Sequence, residues 1–243
     1  MPSLLGGTAE AIAESLATLR RDRILVLDDA LPAAALALAA AEASNLEARG
    51  HMRGEARNPC NPGEVSMELG LWDVRRRRDL VKSSPGIARA VQGMWNLGVE
   101  LGSGLDLSVR VPQVALLASY PPGALYHRHM DSYGGVDIPR LLTVLVYLSW
   151  EPQQGGTLRA YPPGGATDVE PRPGRLVVFY SQEVEHEVLQ SIGRRHALTY
   201  VPRQARARVS PFRTSRVPYV AHASAPRDPA VHMPYVPPRA WLL

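Results

Sequence analysis

The sequence contains seven histidines, and His129 stands two residues before the carboxylate of Asp131. Residues i and i+2 of a strand point to the same face, so an imidazole and a carboxylate at this spacing can converge on one point. Both groups are ligands for divalent metals. A surface histidine beside an aspartate gives the same pattern, so the pair defines a metal site only together with further residues.

A third ligand has to come from another strand, and His186 lies in a strand-like run that begins at Glu185. Two imidazoles and one carboxylate on one side of a metal leave three positions free, which is the arrangement of non-haem iron(II) oxygenases. His127 is an alternative to His129, but its neighbour at i+2 is a second histidine and not a carboxylate. We therefore predict that His129, Asp131 and His186 hold the metal.

Two further residues could bind an anion close to this metal. Arg195 follows His186 by nine residues, at the start of a strand-like run, and Tyr147 lies in the apolar run 141–150. A guanidinium and a phenol would hold the remote end of a dicarboxylate through charge-assisted hydrogen bonds. Arg194 is the alternative anchor, but strand alternation would turn its side chain to the opposite face. We therefore predict Arg195 as the anchor.

Five segments around these residues carry a family resemblance, and they read LLASYPPGALYHRHMDSY, RLLTVLVYLSW, GGTLRAYP, VEPRPGRLVVFYS and HEVLQSIGRRHALTY. Over roughly residues 23–202, the chain resembles the prolyl 4-hydroxylase family of iron(II)- and 2-oxoglutarate-dependent oxygenases. The similarity is greatest to the oxygen-sensing branch, which acts on hypoxia-inducible factor. Collagen-type members usually have lysine as the distal anchor, whereas this chain has Arg195 there and Lys82 as its only lysine.

The resemblance implies a fold, an activity and a set of cofactors. The fold would be α+β, with a double-stranded β-helix (jelly-roll) core backed by N-terminal helices. The activity would be that of a peptidyl-proline 4-dioxygenase, with succinate and CO2 as co-products. It would require Fe(II), 2-oxoglutarate, O2 and ascorbate as iron reductant. No catalytic residue is expected beyond the metal centre.

The resemblance also assigns roles to individual residues. The iron ligands it implies are His129, Asp131 and His186. The residues it implies for 2-oxoglutarate are Arg195, Tyr147, Tyr120 and Thr199. Two neighbours keep more than one interpretation: Tyr126 is either a pocket aromatic or a core residue, and His196 is expected to be packed or hydrogen-bonded on the other face of its strand.

The substrate is open at this point. The first hypothesis is a prolyl residue of a protein or peptide, the second is a small molecule such as free proline, and the third is an iron-binding protein without turnover. Residues 50–73 occupy the place of the family's mobile substrate-covering hairpin and are expected to form a flexible lid. The basic run Arg75 to Arg78 beside them favours an acidic peptide.

The elements that must position these residues are helices first and strands later. Helical spacing and start signals predict helices at 9–19, 33–43 and 85–101. Short apolar runs between glycine- and proline-rich turns predict strands at 23–27, 113–120, 141–150, 157–161, 175–180, 185–189 and 196–201. Residues 50–66 show little periodicity and are predicted to be a loop or a mobile hairpin. This order favours an α+β domain whose sheets form a sandwich or a barrel, backed by the early helices.

Composition limits the remaining possibilities. The 243 residues, 45% of them hydrophobic, suit one domain with appendages. We predict an N-terminal helix at 1–22, an oxygenase domain at 23–202 with its core from about 111, and a proline- and arginine-rich, poorly ordered tail at 203–243. The Ala- and Leu-rich stretch at 30–43 is too short to span a membrane.

Charge and cysteine content exclude further classes of function. Cys60 is the only cysteine, so neither an intramolecular disulfide nor a cysteine-based zinc site can form. With no secretory signal layout, we predict a cytoplasmic protein, with the nucleus as the alternative compartment. The formal charge is +4, but neither aromatic interleaving nor zinc-finger spacing supports nucleic-acid binding. We expect no nucleic-acid or membrane partner and favour a monomer.

Overall fold

The computed structural model describes residues 3–5, 7–54, 60–70, 84–110, 112, 114–133 and 138–205. Its helices are α1 (Ala9–Asp22), α2 (Ala33–Ala48) and α3 (Pro85–Gly104). Its strands are β1 (Ile24–Leu27), β2 (Val65–Gly70), β3 (Val109–Arg110), β4 (Val114–Tyr120), β5 (Tyr126–His129), β6 (Leu142–Ser149), β7 (Leu158–Tyr161), β8 (Thr167–Val169), β9 (Leu176–Tyr180), β10 (Glu185–Val188), β11 (Arg195–Tyr200) and β12 (Arg203–Gln204). None of the helices in the described part of the chain is long and apolar enough to cross a membrane.

Two antiparallel sheets make up most of the described strands. The major sheet has six strands in the order β1-β9-β6-β11-β4-β2, and the minor sheet has four in the order β5-β10-β7-β8. Side chains from both sheets, such as Phe179 and Ala197 of the major sheet and Ala160 and Val188 of the minor sheet, share one buried cluster. The sheets therefore pack face to face, which confirms the α+β prediction with a sandwich of two sheets.

The helices cover the outer face of the major sheet. Along β11, Leu198 and Tyr200 join the helix-side core, whereas Ala197 joins the cluster between the sheets. This alternation follows from the two-residue period of a strand. The faces of β11 are therefore distinct: Arg195 shares its face with Ala197, and His196 faces the helices.

Helices α2 and α3 are joined by a buried carboxylate. Glu42 of α2 accepts the backbone N–H groups of Gly86 and Ile87 at 3.0 and 2.8 Å. These are first-turn amides of α3, which no residue of that helix can satisfy. A Cβ at Gly86 would stand 2.6 Å from the backbone nitrogen of Ala39, so glycine permits the close approach of the two helices.

The structure corrects one expectation for the segment before α3. We predicted a loop or a mobile hairpin at 50–66 within a flexible lid at 50–73, but Val65–Gly70 forms strand β2 and pairs with β4 along its whole length. Arg53 forms a bridge with Ser66, so the segment does turn back on itself as a hairpin. The second arm of this hairpin is held by backbone hydrogen bonds, which periodicity alone did not reveal. Residues 55–59 and 71–83, including the basic run at 75–78, lie outside the described residues.

The chain remains paired beyond residue 202, where we predicted the tail to begin. Strand β12 (Arg203–Gln204) pairs with β3, a short strand that follows α3. The other residues of the predicted tail, 206–243, lie outside the described part of the chain.

Candidate metal centre

The two candidate imidazole ligands lie on neighbouring strands of the minor sheet. His129 ends β5, and His186 stands directly opposite it on β10. Their ring centroids are 4.3 Å apart. Antiparallel pairing places directly opposite side chains on the same face, so both rings point to one location.

Asp131 completes the group from a bend that follows β5, and not from the strand itself. Its Oδ1 lies 3.5 Å from His129 Nε2, and its Oδ2 lies 3.9 Å from His186 Nε2. The ligand atoms of the three residues all lie within 4.8 Å of one another. The spacing argument assumed a strand at both residues, whereas the backbone bends after His129 and still brings Asp131 to the two imidazoles.

Backbone carbonyls orient both rings. His129 Nδ1 lies 2.8 Å from the carbonyl of His127, and His186 Nδ1 lies 3.3 Å from the carbonyl of Val184. A carbonyl only accepts, so each Nδ1 donates and each Nε2 keeps a lone pair for a metal. Outer hydrogen bonds of this kind are what orient histidine ligands in metal sites.

The Thr143 hydroxyl holds the Asp131 carboxylate, and the Ser181 hydroxyl supports Thr143. Thr143 Oγ1 donates to Asp131 Oδ2, and the Ser181 hydroxyl lies 2.8 Å from Thr143 Oγ1. Since the Thr143 proton is committed to Asp131, Ser181 is the donor in the second contact. Burial by itself raises the pKa of Asp131, but His186, His129 and Thr143 together hold that pKa well below its usual value. The carboxylate is therefore charged at neutral pH, as a metal ligand must be.

The surroundings of the imidazoles differ on the two sides of the group. Burial lowers the pKa of His186 to about 4, and its ring packs 4.6 Å from that of Phe179. Tyr126 stacks on His129 with the centroids 3.9 Å apart. The side chains of His129 and Asp131 are 13% and 14% exposed. The group is therefore surrounded by apolar residues at His186 and reaches solvent at His129 and Asp131. Its donor set of two imidazole nitrogens and one carboxylate fits iron(II).

The candidate anion anchor lies on the inner face of the major sheet. Arg195 is 3% exposed, and its Nε has no hydrogen-bond partner among the residues that the structure describes. Its guanidinium carbon stands 4.2 Å from the ring centroid of Tyr120 and 5.4 Å from that of Tyr147. A buried cation with an unused donor is costly unless an anion joins it. The unused donor of Arg195 would therefore suit a carboxylate such as the distal end of 2-oxoglutarate.

The two phenols at this anchor are suited to donate hydrogen bonds. Burial raises the pKa of both Tyr120 and Tyr147, although the positive charge of Arg195 opposes the shift. Both hydroxyls therefore keep their protons at neutral pH. Thr199 lies four residues from Arg195 on the same face of β11, partly buried and opposite Leu116 of β4.

The alternatives that the sequence left open lie elsewhere. The side chain of His127 is exposed and outside the group of three ligands. The side chain of Arg194 is 54% exposed, and it pairs with Glu47 at 3.5 Å. His196 is buried on the helix side, with Ser149 at 2.8 Å and Glu47 at 2.7 Å as hydrogen-bond partners. Arg195 is thus the inward-facing member of the arginine pair, in the register that strand alternation predicted.

Sequence reasoning missed several residues that shape the site. Thr143 stands in an apolar strand run and Ser181 directly follows one, and neither hydroxyl gave a distinctive signal. Glu64 accepts a hydrogen bond from the Tyr120 hydroxyl across 56 positions of sequence. Gly156 lies so close to the anchor that a Cβ at this position would stand 3.0 Å from Arg195 Nε.

The comparisons with known proteins agree with this geometry. Residues 115–201 match the family model of the 2OG-Fe(II) oxygenase superfamily, a range that includes the three candidate ligands and Arg195. A prolyl-4-hydroxylase from Pseudomonas putida has a similar structure, with a TM-score of 0.68 and 29% sequence identity over 80% of this chain and 99% of that chain. The resemblance to prolyl 4-hydroxylases is therefore confirmed, and with it a jelly-roll core for the two packed sheets.

Two more distant structures share the fold. A prolyl hydroxylase from Trichoplax adhaerens, solved in complex with a peptide fragment of the hypoxia inducible factor oxygen degradation domain, has a TM-score of 0.67 and 22% identity over 79% of this chain and 89% of that chain. A non-heme alpha ketoglutarate dependent epimerase from nogalamycin biosynthesis has a TM-score of 0.62 and 16% identity over 82% of each chain. At these identities the likeness is one of fold.

Replacing Gly156 with alanine is expected to raise the KM for 2-oxoglutarate on the order of 10- to 100-fold, because small displacements of a binding group are costly. A Cβ there would stand 2.7 Å from Ser191 Oγ and 3.0 Å from Arg195 Nε, at a backbone φ of +71° that favours glycine. Gly164→Ala is the matched control, since no atom of the described residues lies within 4 Å of its Cβ position. Succinate formation against 2-oxoglutarate concentration measures both variants, and equal KM values would contradict the prediction.

Proposed function

We propose, from the match of residues 115–201 to the model of the 2OG-Fe(II) oxygenase superfamily, that this protein hydroxylates a prolyl residue of a protein or peptide. In this proposal it is a prolyl 4-hydroxylase of the oxygen-sensing type, with ascorbate keeping the iron reduced. Bound Fe(II), 2-oxoglutarate and O2 supply the oxidising chemistry, with succinate and CO2 as co-products.

Each part of the site has a distinct task in this proposal. His129 and His186 bind the iron through Nε2, and Asp131 binds it through its carboxylate. Arg195 and Tyr147 hold the distal carboxylate of 2-oxoglutarate, while Tyr120 donates a further hydrogen bond within the pocket. Holding 2-oxoglutarate at both ends would orient it relative to the iron and the substrate, and such orientation is a large part of catalysis.

The observation that carries the oxygenase part of the proposal is the unused Nε of Arg195. This buried guanidinium stands close to two protonated phenols, on the face that the major sheet turns toward the minor sheet. A group of three metal ligands alone fits several enzymes, but a buried cation with an unused donor adds a site for a carboxylate. The two sites together match the needs of a cosubstrate that binds a metal at one end and a cation at the other.

The prolyl part rests on three supports. The first is the 29% identity to the Pseudomonas putida prolyl-4-hydroxylase over 99% of that chain. The second is the arginine at the anchor position, where the collagen-type branch usually has lysine. The third is the partial exposure of the His129 and Asp131 side chains, 13% and 14% among the described residues, which is the side from which a polypeptide would approach. An enclosed group would have favoured a small molecule.

A peptide-array screen tests the proposal. The Fe(II)-loaded protein is incubated with 2-oxoglutarate, ascorbate and proline-containing peptides, each paired with a copy in which proline is replaced by alanine. We expect succinate formation together with the mass of one added oxygen on proline-containing members alone. Turnover on free proline without turnover on any peptide would favour the small-molecule hypothesis. No turnover on either, with iron and 2-oxoglutarate bound, would contradict both enzyme hypotheses.

The oxygen-sensing assignment needs a separate measurement. The KM for O2, determined with the best peptide from the array, should lie at or above the O2 concentration of air-saturated buffer. Turnover then follows the O2 concentration throughout the physiological range. A KM far below that concentration would leave a prolyl hydroxylase that does not sense oxygen.

A further inference from the structure

The segment 60–64 lies along the chain that leads into the ligand strand β5. The backbone N–H of His127 donates to the carbonyl of Cys60 at 2.7 Å, and that of Leu125 donates to the carbonyl of Pro62 at 3.2 Å. At Gly63, with φ +85°, a Cβ would stand 3.1 Å from the backbone of Ala124. These contacts fix where the next residue, Glu64, enters the site.

Glu64 carries a negative charge into the cosubstrate pocket. Its Oε2 accepts a hydrogen bond from the Tyr120 hydroxyl at 3.1 Å. The ring of Tyr120 lies directly beneath the guanidinium of Arg195, with 4.2 Å between the ring centroid and the guanidinium carbon. One phenol therefore separates an acidic side chain of the hairpin from the cation that is suited to bind 2-oxoglutarate.

A phenol has one proton and can donate it to one strong acceptor at a time. Burial and the nearby charge of Glu64 both raise the pKa of Tyr120, so this hydroxyl stays a donor across the physiological range. 2-Oxoglutarate carries two negative charges, and it meets the acidic side chain of Glu64 when it binds beside Tyr120. Like charges at short distance repel, and the repulsion is stronger where water is excluded.

We propose that Glu64 is a positioning residue that competes with 2-oxoglutarate for the Tyr120 hydroxyl. The inference rests on the proposed function, because it takes 2-oxoglutarate as the ligand of this pocket. Glu64 holds the phenol when the pocket is free of anion and weakens the binding of any anion that needs the same donor. The affinity for 2-oxoglutarate is thus set partly by a hairpin residue that is remote in sequence from the metal ligands and from Arg195.

The test compares two single changes on neighbouring parts of the same hairpin. Glu64→Gln removes the charge at the phenol, while Glu68→Gln removes a charge at an exposed position of β2. We expect Glu64→Gln to lower the Kd for 2-oxoglutarate about 3- to 10-fold, the effect of one hydrogen bond, and Glu68→Gln to leave it unchanged. Calorimetric titration of the Mn(II)-loaded protein with 2-oxoglutarate measures binding without turnover.

A double-mutant cycle separates competition for the phenol from a general loosening of the hairpin. In a Tyr120→Phe background no hydroxyl is left to compete for, so most of the gain from Glu64→Gln should disappear. Glu64→Asp provides a second variant that keeps the charge and withdraws the carboxylate by one methylene, and it should also lower the Kd. Thermal unfolding of each variant checks that the fold is retained.

The outcomes distinguish this inference from the proposed function. If the metal-loaded wild-type protein does not bind 2-oxoglutarate, the proposed function fails, and this inference fails with it. If the wild type binds 2-oxoglutarate but Glu64→Gln and Glu64→Asp leave the Kd unchanged or raise it, the role of Glu64 alone is wrong. An equal gain from Glu64→Gln with and without the Tyr120 hydroxyl would also overturn it.

Discussion

Replacing His186 with alanine is expected to abolish iron binding and turnover together. The imidazole faces His129 across the β5–β10 pair, and its Nε2 lies 3.9 Å from the Asp131 carboxylate. The loss of a ligand should exceed the roughly 10- to 100-fold in metal affinity that the loss of an outer hydrogen-bond partner costs. Titration with Fe(II) under anaerobic conditions and succinate formation measure the two effects.

His127→Ala is the matched control for the His186 prediction. The side chain of His127 is exposed, and the part of this residue that serves the site is its backbone carbonyl, which accepts from His129 Nδ1 and survives the substitution. We expect this variant to keep most of its iron affinity and activity. The reverse pattern, with His127 essential and His186 dispensable, would show that the metal is bound elsewhere.

Arg195→Ala is expected to raise the KM for 2-oxoglutarate roughly 10²- to 10³-fold, because truncating one partner of a buried charge pair costs several kcal/mol. The apo protein should remain folded. In the absence of an anion the guanidinium is a buried cation whose Nε has no partner among the described residues, so its removal also removes a desolvation penalty. The KM comes from succinate formation, and the midpoint of thermal unfolding reports on the fold.

Arg194→Ala supplies the control for the anchor, since it removes the same charge from the adjacent position. Its side chain is 54% exposed and pairs with Glu47 on the helix side of β11. We expect little change in the KM for 2-oxoglutarate. If Arg194→Ala and not Arg195→Ala weakens cosubstrate binding, then β11 has the opposite face toward the pocket in solution.

The local pattern of the sequence was sufficient to predict the strands that carry Tyr147, His186 and Arg195, but not β5, which carries His129. Strand β11 was predicted within one residue at each end, and its alternation separated the inward Arg195 from the outward His196. A two-residue period depends on neighbours in the chain alone, so it can be recognised without knowing the partner strands. The spacing of apolar residues in a helix is also a local property, and the helices α1 to α3 start at the predicted positions.

Pairing between distant segments could not be predicted in the same way. Strand β2 has a weak apolar pattern, and its identity as a strand comes from its hydrogen bonds to β4, about fifty residues further along the chain. Asp131 reaches the metal group by a bend, Thr143 of the major sheet holds its carboxylate, and Ser181 contacts Thr143. Such contacts depend on which side chains the fold brings together, and spacing along the chain does not contain that information.

The sequence by itself determined the types of ligand, the arginine of the buried face and the family resemblance that joined them into one candidate site. The tertiary structure decided what surrounds them: the phenol rings at Arg195, the glycine backbone that leaves space for its side chain, and the carboxylate of Glu64 at Tyr120. The physical reason is that a side chain's own chemistry and its strand face are local properties. Its burial, its charge environment and its competition for a hydrogen bond arise only when remote segments pack together.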